Sequence, residues 1–227
     1  MRRPRAQPRV RASRTDREAP AASGPRGAAR SAGGAAHRVR IVGGRWKRTP
    51  LDVPDVQGLR PTPDRVRETL FNWLGQDLDG LDCLDLFAGT GALGLEAASR
   101  GAARVLLVES DRRAASAIAS ALERLDAREV TLLRGDALSA IANAREAGRR
   151  FDLVFLDPPF GGGWLERILP LLAPVLAPGA RVYVESDAAL PAAAPGELLG
   201  PGWQVVRADR AGQVFYHLLS KTNSEKG

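Results

Sequence analysis

The chain has 227 residues and 44% hydrophobic content, which suits one domain of ordinary size with a real core plus extensions. A single cysteine, Cys83, excludes a disulfide framework and a cysteine-rich zinc site, and only two histidines, His37 and His217, give little support to a metal centre or a His-based triad. The net charge of +7 is uneven: nine arginines stand among residues 1–30 against Asp16 and Glu18, and the rest of the chain balances.

Residues 1–36 are Arg, Ala, Pro, Gly and Ser with almost no large apolar side chains. Such a segment buries too little surface to offset its ordering entropy, and a disordered arm is expected. It reads as a basic arm on nucleic-acid phosphate, as a dispensable extension or upstream start, or as an Arg-rich transit peptide by composition. Residues 37–77 read as a hairpin followed by a helix. The hairpin runs Arg38 to Val42, turns at Gly43-Gly44, and returns over Arg45 to Leu51. Arg45 and Lys47 flank Trp46, which suits either an RNA grip or a solvated edge. In the helix, Thr62 is placed to cap, Pro63 suits the first turn, and Val66, Leu70, Phe71, Trp73 and Leu74 form an apolar stripe. Arg60, Arg65 and Arg67 read as phosphate contacts or as solvated surface.

From residue 78 to 220 the pattern alternates. Strands are expected at 81–86, 104–109, 129–133, 151–156 and 180–185, with helices near 91–100, 111–124, 137–147 and 164–176. This predicts an α/β fold with a mostly parallel sheet covered on both faces. Ala177-Pro178-Gly179 reads as a turn. Trp203 to Ala208 and Gln213 to Leu219, around Arg210-Ala211-Gly212, read as an antiparallel hairpin at the sheet edge. Residues 221–227 read as a flexible tail. Cys83 is expected to be buried.

Ligands in open parallel sheets bind beyond the carboxyl ends of the strands. Asp85, Glu109, Asp136 and Asp157 stand at four successive strand ends, although any one such Asp also serves as a helix cap. The loop Asp85-Leu86-Phe87-Ala88-Gly89-Thr90-Gly91-Ala92-Leu93-Gly94 matches G-x-G-x-x-G, so an NAD site has to be weighed. Asp85 beside the loop would repel a pyrophosphate, whereas S-adenosylmethionine brings an ammonium and a sulfonium. Glu109 suits the two ribose hydroxyls, Asp136 the adenine amino group, and the Ala137 N–H a ring nitrogen.

Asp157-Pro158-Pro159-Phe160 follows the apolar strand Phe151 to Leu156. Two prolines remove two N–H donors and hold the chain extended, which frees carbonyls toward a ligand. A carboxylate, exposed carbonyls and a flat ring suit an exocyclic amino group on a stacked nucleobase. Gly161-Gly162-Gly163 before Trp164 suits a lid, and Trp164 itself suits the core equally well.

Arg60 through Leu74, Phe87 through Gly94, Asp157 through Phe160 and Tyr183-Val184-Glu185 occur in one order and context. Over residues 38–220 they resemble the bacterial small-subunit rRNA guanine-N2 methyltransferases. The resemblance implies a Rossmann-like class I fold using S-adenosylmethionine, and methyl transfer to the 2-amino group of a guanine in 16S rRNA on an assembled or assembling 30S subunit. It implies cofactor contacts from Asp85, Phe87, Ala88, Gly89, Thr90, Gly91, Glu109, Asp136 and Ala137, and catalysis by Asp157, Pro158, Pro159 and Phe160. RNA contacts then fall to Arg45, Lys47, Arg60, Thr62, Arg65 and Arg67. A cytoplasmic monomer without metal is expected, since no apolar stretch approaches the ~20 residues of a membrane helix. A DNA adenine-N6 or cytosine-N4 methyltransferase and a non-catalytic, cofactor-holding assembly factor remain alternatives. Tyr183 and Glu185 match the family pattern without a role that chemistry assigns.

Overall fold

The computed structural model describes residues 38–59 and 61–221. The arm expected at 1–36, Arg60 and the tail beyond Lys221 lie outside the described residues. Strands β1 (Arg38–Arg40) and β2 (Pro50–Asp52) form a small antiparallel pair. Helix α1 spans Asp64–Leu74. Then come β3 (Asp82–Asp85), α2 (Ala92–Ser99), β4 (Arg104–Glu109), α3 (Arg112–Leu125), β5 (Val130–Arg134), α4 (Ala137–Glu146), β6 (Phe151–Leu156), α5 (Trp164–Leu172), β7 (Leu176–Ser186), α6 (Ala194–Leu199), β8 (Trp203–Ala211) and β9 (Val214–Lys221). The seven-stranded sheet has the order β5-β4-β3-β6-β7-β9-β8, parallel up to β7 and antiparallel through β9 and β8.

The expected α/β sheet and terminal hairpin are both present. Successive strand residues point to opposite faces, and the two cores follow that parity. Cys83, Leu107, Phe155 and Tyr183 pack with Val66, Leu70 and Phe71 of α1, with Leu95 of α2 and with Ile118 of α3. Leu84, Leu106, Val154 and Val182 pack with Ile141 of α4, Ile168 of α5 and Leu199 of α6. Val39, Ile41 and Leu51 of the N-terminal pair belong to the first core. That core also carries the ring contact of Phe71 with Phe155 at 6.2 Å and the stack of Trp73 on Tyr216 at 5.3 Å.

Several local expectations give way to tertiary packing. Gly43-Gly44 is not a hairpin turn, because residues 41–49 form a wider loop in which Ile41 and Thr49 still bond. The glycines serve close approach: a Cβ on Gly44 would lie 1.9 Å from the Ser99 carbonyl oxygen. The Ala177-Pro178-Gly179 turn is absorbed into β7 as an irregularity, with Phe151 opposite Leu176 and Leu153 opposite Arg181. Helix α5 stops at Leu172 and passes into a 3-10 turn over Ala173–Val175, where Pro174 cannot donate to the α-helical ladder. In the hairpin, Ala211 pairs with Val214, so the turn is Gly212-Gln213, with Gly212 at φ +63. Helix α6 is an addition that its Ala-Pro-Gly composition concealed.

Candidate active site

The glycine loop leaves β3 and starts α2 through two left-handed glycines, Gly89 at φ +55 and Gly91 at φ +76. Gly94 meets a different demand: a Cβ there would lie 2.2 Å from Leu107 Cδ2, so it lets α2 lie directly on β4. The Gly89 N–H donates to Glu109 Oε2 at 2.7 Å and the Asp111 N–H donates to Glu109 Oε1 at 2.6 Å. Glu109 is thereby fixed against the loop, and each oxygen keeps a lone pair for a ligand hydroxyl. Ala88 and Thr90 are buried within the loop. Phe87 meets Trp164 edge to face at 5.4 Å, and both pack on the second core, so Trp164 braces the glycine loop rather than forming a lid.

Asp85 is buried at 1% exposure. Its Oδ2 accepts from the Gly94 N–H at 3.2 Å, and its Oδ1 has no hydrogen-bond partner. Burial pushes its carboxyl up to about 7, against the Gly94 backbone bond. An orphaned carboxylate oxygen beside a glycine loop fits the ammonium of S-adenosylmethionine, and Glu109 fits its ribose diol. Asp136 is exposed and its Oδ1 caps α4 by accepting from the Ser139 N–H at 2.9 Å. That bond holds its carboxyl below the usual range, and Ala137 begins the helix as a buried residue.

Asp157 follows β6 and is half-buried. The Thr62 hydroxyl donates to its Oδ2 at 3.2 Å. Desolvation raises the Asp157 carboxyl well above the usual carboxylate range, and Glu185 and Asp85 add to the shift. Pro158 is buried, Pro159 is exposed, and Phe160 is 49% exposed, a large apolar ring left in solvent. That is the geometry of a stacking platform.

Thr62 does not cap α1, because its hydroxyl is spent on Asp157 and Pro63 occupies the cap position. Arg67 departs further from expectation. It is fully buried, with Nε donating to the Thr62 carbonyl at 3.2 Å, Nη2 to Asp64 at 2.6 Å, and Nη1 standing 3.5 Å from Glu96. It cannot reach an RNA phosphate and instead fixes the backbone of Thr62. Arg65, Arg45 and Lys47 remain exposed, with Arg45 also pairing with Glu129 and lying 4.1 Å over the Trp46 ring. Arg60 lies outside the described residues.

Sequence reasoning missed the role of Glu96. It is wholly buried in α2 and receives the Val42 N–H at 2.7 Å and Arg100 Nε at 2.8 Å, besides facing Arg67. It also left Glu185 without a role. Glu185 is 3% exposed and accepts from the Tyr183 hydroxyl at 2.8 Å. No local signal carries it, because Asp157 and Glu185 come level only through the register of β6 with β7.

A family model described as Conserved hypothetical protein 95 matches residues 39–220. The chain is 43% identical over 188 residues to Ribosomal RNA small subunit methyltransferase D of Escherichia coli (strain K12), covering 81% of this chain and 90% of that protein. It is 37% identical to the protein of the same name from Haemophilus influenzae, covering 79% and 92%. The solved structure of the Escherichia coli protein yhhF is 41% identical, with a TM-score of 0.71, covering 82% of this chain and 98% of that one. These matches agree with the resemblance carried by the Arg60–Leu74, Phe87–Gly94 and Asp157–Phe160 motifs: the chain belongs to the Conserved hypothetical protein 95 family and is a relative of the ribosomal RNA small subunit methyltransferases D.

Proposed function

We infer that this protein is an S-adenosylmethionine-dependent methyltransferase of small-subunit ribosomal RNA, and that its target is the exocyclic N2 of a guanine in 16S rRNA, on an assembled or assembling 30S subunit. The observation that carries the reading is Asp157-Pro158-Pro159-Phe160, held by Thr62 at the carboxyl edge of the sheet beside the Asp85 glycine loop. When bound, the cofactor supplies an electrophilic methyl group on a sulfonium.

The chain's own residues account for the rest. Phe160 offers its exposed face to an extruded base. Asp157 and the Pro158 carbonyl accept the amino hydrogens, which draws electron density onto a nitrogen whose lone pair is otherwise spread into the ring. Asp85 takes the cofactor's ammonium, Glu109 its ribose hydroxyls, and Asp136 with the Ala137 N–H its adenine. Phe87, Ala88, Gly89, Thr90 and Gly91 supply the close backbone surface. Alignment of the reacting atoms supplies most of the rate. The sulfonium is already a strong leaving group, so the reaction calls for no metal. Arg45, Lys47, Arg60 and Arg65 contact flanking phosphates, and the arm at residues 1–36 adds non-specific attraction. We take the protein to act in the cytoplasm as a monomer; no helix among the described residues is long and apolar enough to cross a membrane.

The test is methyl transfer from labelled S-adenosylmethionine to small subunits lacking the modification, with Asp157→Ala in parallel and mass spectrometry locating the product. One methylguanine formed by the wild type and lost in the variant is the expected result. Transfer to duplex DNA by pure protein would sink the rRNA reading, and activity intact in Asp157→Ala would favour an assembly factor.

A further inference from the structure

The register of the parallel strands brings three carboxyl groups to one face of the sheet. Asp85 of β3 is level with Phe155 of β6, and Phe155 is level with Tyr183 of β7. One pleat further on, Asp157 and Glu185 stand side by side at the ends of neighbouring strands, which lie about 4.8 Å apart in a sheet. All three point toward the α1–α2 layer, the side that holds Cys83, Phe155 and Tyr183 in the first core. Asp85 and Glu185 are nearly inaccessible, and one oxygen of Asp85 is unpartnered.

No Lys, Arg or His among the described residues forms an ion pair with Asp85, Asp157 or Glu185. The neighbouring elements offer hydroxyl groups and further negative charge in place of a cation. Arg67 of α1 is engaged by Thr62, Asp64 and Glu96. Glu109 of β4 adds further negative charge. Tyr216 of β9 is level with Glu185, but its hydroxyl donates to Asp209 at 2.9 Å. Tyr183, on the same strand as Glu185, donates to it. What remains is Thr62, whose hydroxyl bonds to Asp157.

A threonine hydroxyl has one hydrogen. It is given to Asp157, while Glu185 accepts from the Tyr183 hydroxyl. Two carboxyls level with each other at neighbouring strand ends, with no cation paired to either among the described residues, favour holding one proton between them. Burial raises both carboxyls above their usual range, which agrees with that count.

We propose that Asp157, Thr62 and Glu185 form one proton-holding unit whose charge offsets that of the cofactor, giving up its proton when the cationic cofactor enters and taking up the proton shed by the methylated amine. The step balances. The amine lone pair forms the N–C bond, the C–S bond breaks with its electron pair left on sulfur, and one N–H proton passes to Asp157 and is shared with Glu185 beside it. The positive charge lost at sulfur is replaced by that proton, so the buried site never holds two bare adjacent carboxylates without a cation. Thr62 and Glu185 are positioning residues for Asp157. The unit rests on the proposed cofactor and not on the identity of the RNA.

The test is calorimetric titration of the full chain with S-adenosylmethionine and with S-adenosylhomocysteine, in two buffers of different ionisation enthalpy. The pH is set near 6.5, below the α-amino range, so that both ligands enter with charged amino groups. The expected result is more proton release with S-adenosylmethionine than with S-adenosylhomocysteine, and an affinity for the former that rises up to about tenfold per pH unit toward neutrality. Glu185→Gln and Thr62→Val should each cut the excess release by more than half while still binding S-adenosylhomocysteine, which reports that the site is folded. Equal release with the two ligands, or an excess unchanged in both variants, overturns the proposal and leaves Asp85 as the titrating group. If neither ligand binds the wild type, the cofactor reading falls and the proposal with it.

Discussion

Thr62 Oγ1 donates to Asp157 Oδ2 across 3.2 Å, joining the segment before α1 to the end of β6. Arg67 holds the Thr62 carbonyl from below, and Glu96 of α2 faces Arg67. The N-terminal segment is thus tied to the strand end that carries the proposed catalytic residues, with a buried ion network beneath it.

Asp157→Ala should lower methyl transfer by about 10²–10⁴-fold, the range for loss of a positioned acid–base group. Affinity for S-adenosylhomocysteine, which lacks the sulfonium charge, should change little, because Asp85 and Glu109 are untouched. Single-turnover transfer combined with calorimetric cofactor binding separates the two.

Phe160→Ala should weaken productive RNA binding by about 1–3 kcal/mol, the value of one base–aromatic stack. Half-exposed Phe160 contributes little to the core, so the melting temperature should stay put. Phe160→Tyr should restore activity, which a purely apolar role for the ring would not require.

Arg65 and Arg67 should behave as opposites. Arg67→Ala leaves Glu96 buried with one partner fewer, and removing one member of a buried ion pair costs about 3–5 kcal/mol. Its melting temperature should drop. Arg65→Ala should melt like the wild type and bind RNA more weakly, with a salt slope shallower by about 1. Equal stability of the two variants would contradict the buried placement of Arg67.

The Asp85 carboxyl, pushed up to about 7, makes a pH prediction with a fixed sign. Its folded value lies above its unfolded one, so the stability it contributes is full below about pH 4 and is lost as pH rises through about 7. Asp85→Asn should therefore stabilise the unliganded protein at pH 8, by about 4 kcal/mol at most, and make little difference at pH 4. The same change should weaken S-adenosylmethionine binding. Thermal melts at the two pH values, with and without cofactor, check both parts.

The alternation of strands and helices, the glycine loop and the Asp-Pro-Pro-Phe strand end could all be read from the chain, because each is a local property. Period-two burial, missing proline N–H groups and left-handed glycines act within a few residues. What the tertiary structure alone decided is which charged residue faces where. Arg65 and Arg67 differ by two positions, about 200° around a helix, so one meets solvent and the other Glu96. Nothing in the composition of that segment separates them. Likewise Thr62 finds Asp157 across 95 positions, and Glu185 reaches the level of Asp157 only through the register of β6 with β7. Register and helix facing are set by packing the two cores, and they brought three carboxyls, with no cation paired to them among the described residues, to one face of the sheet.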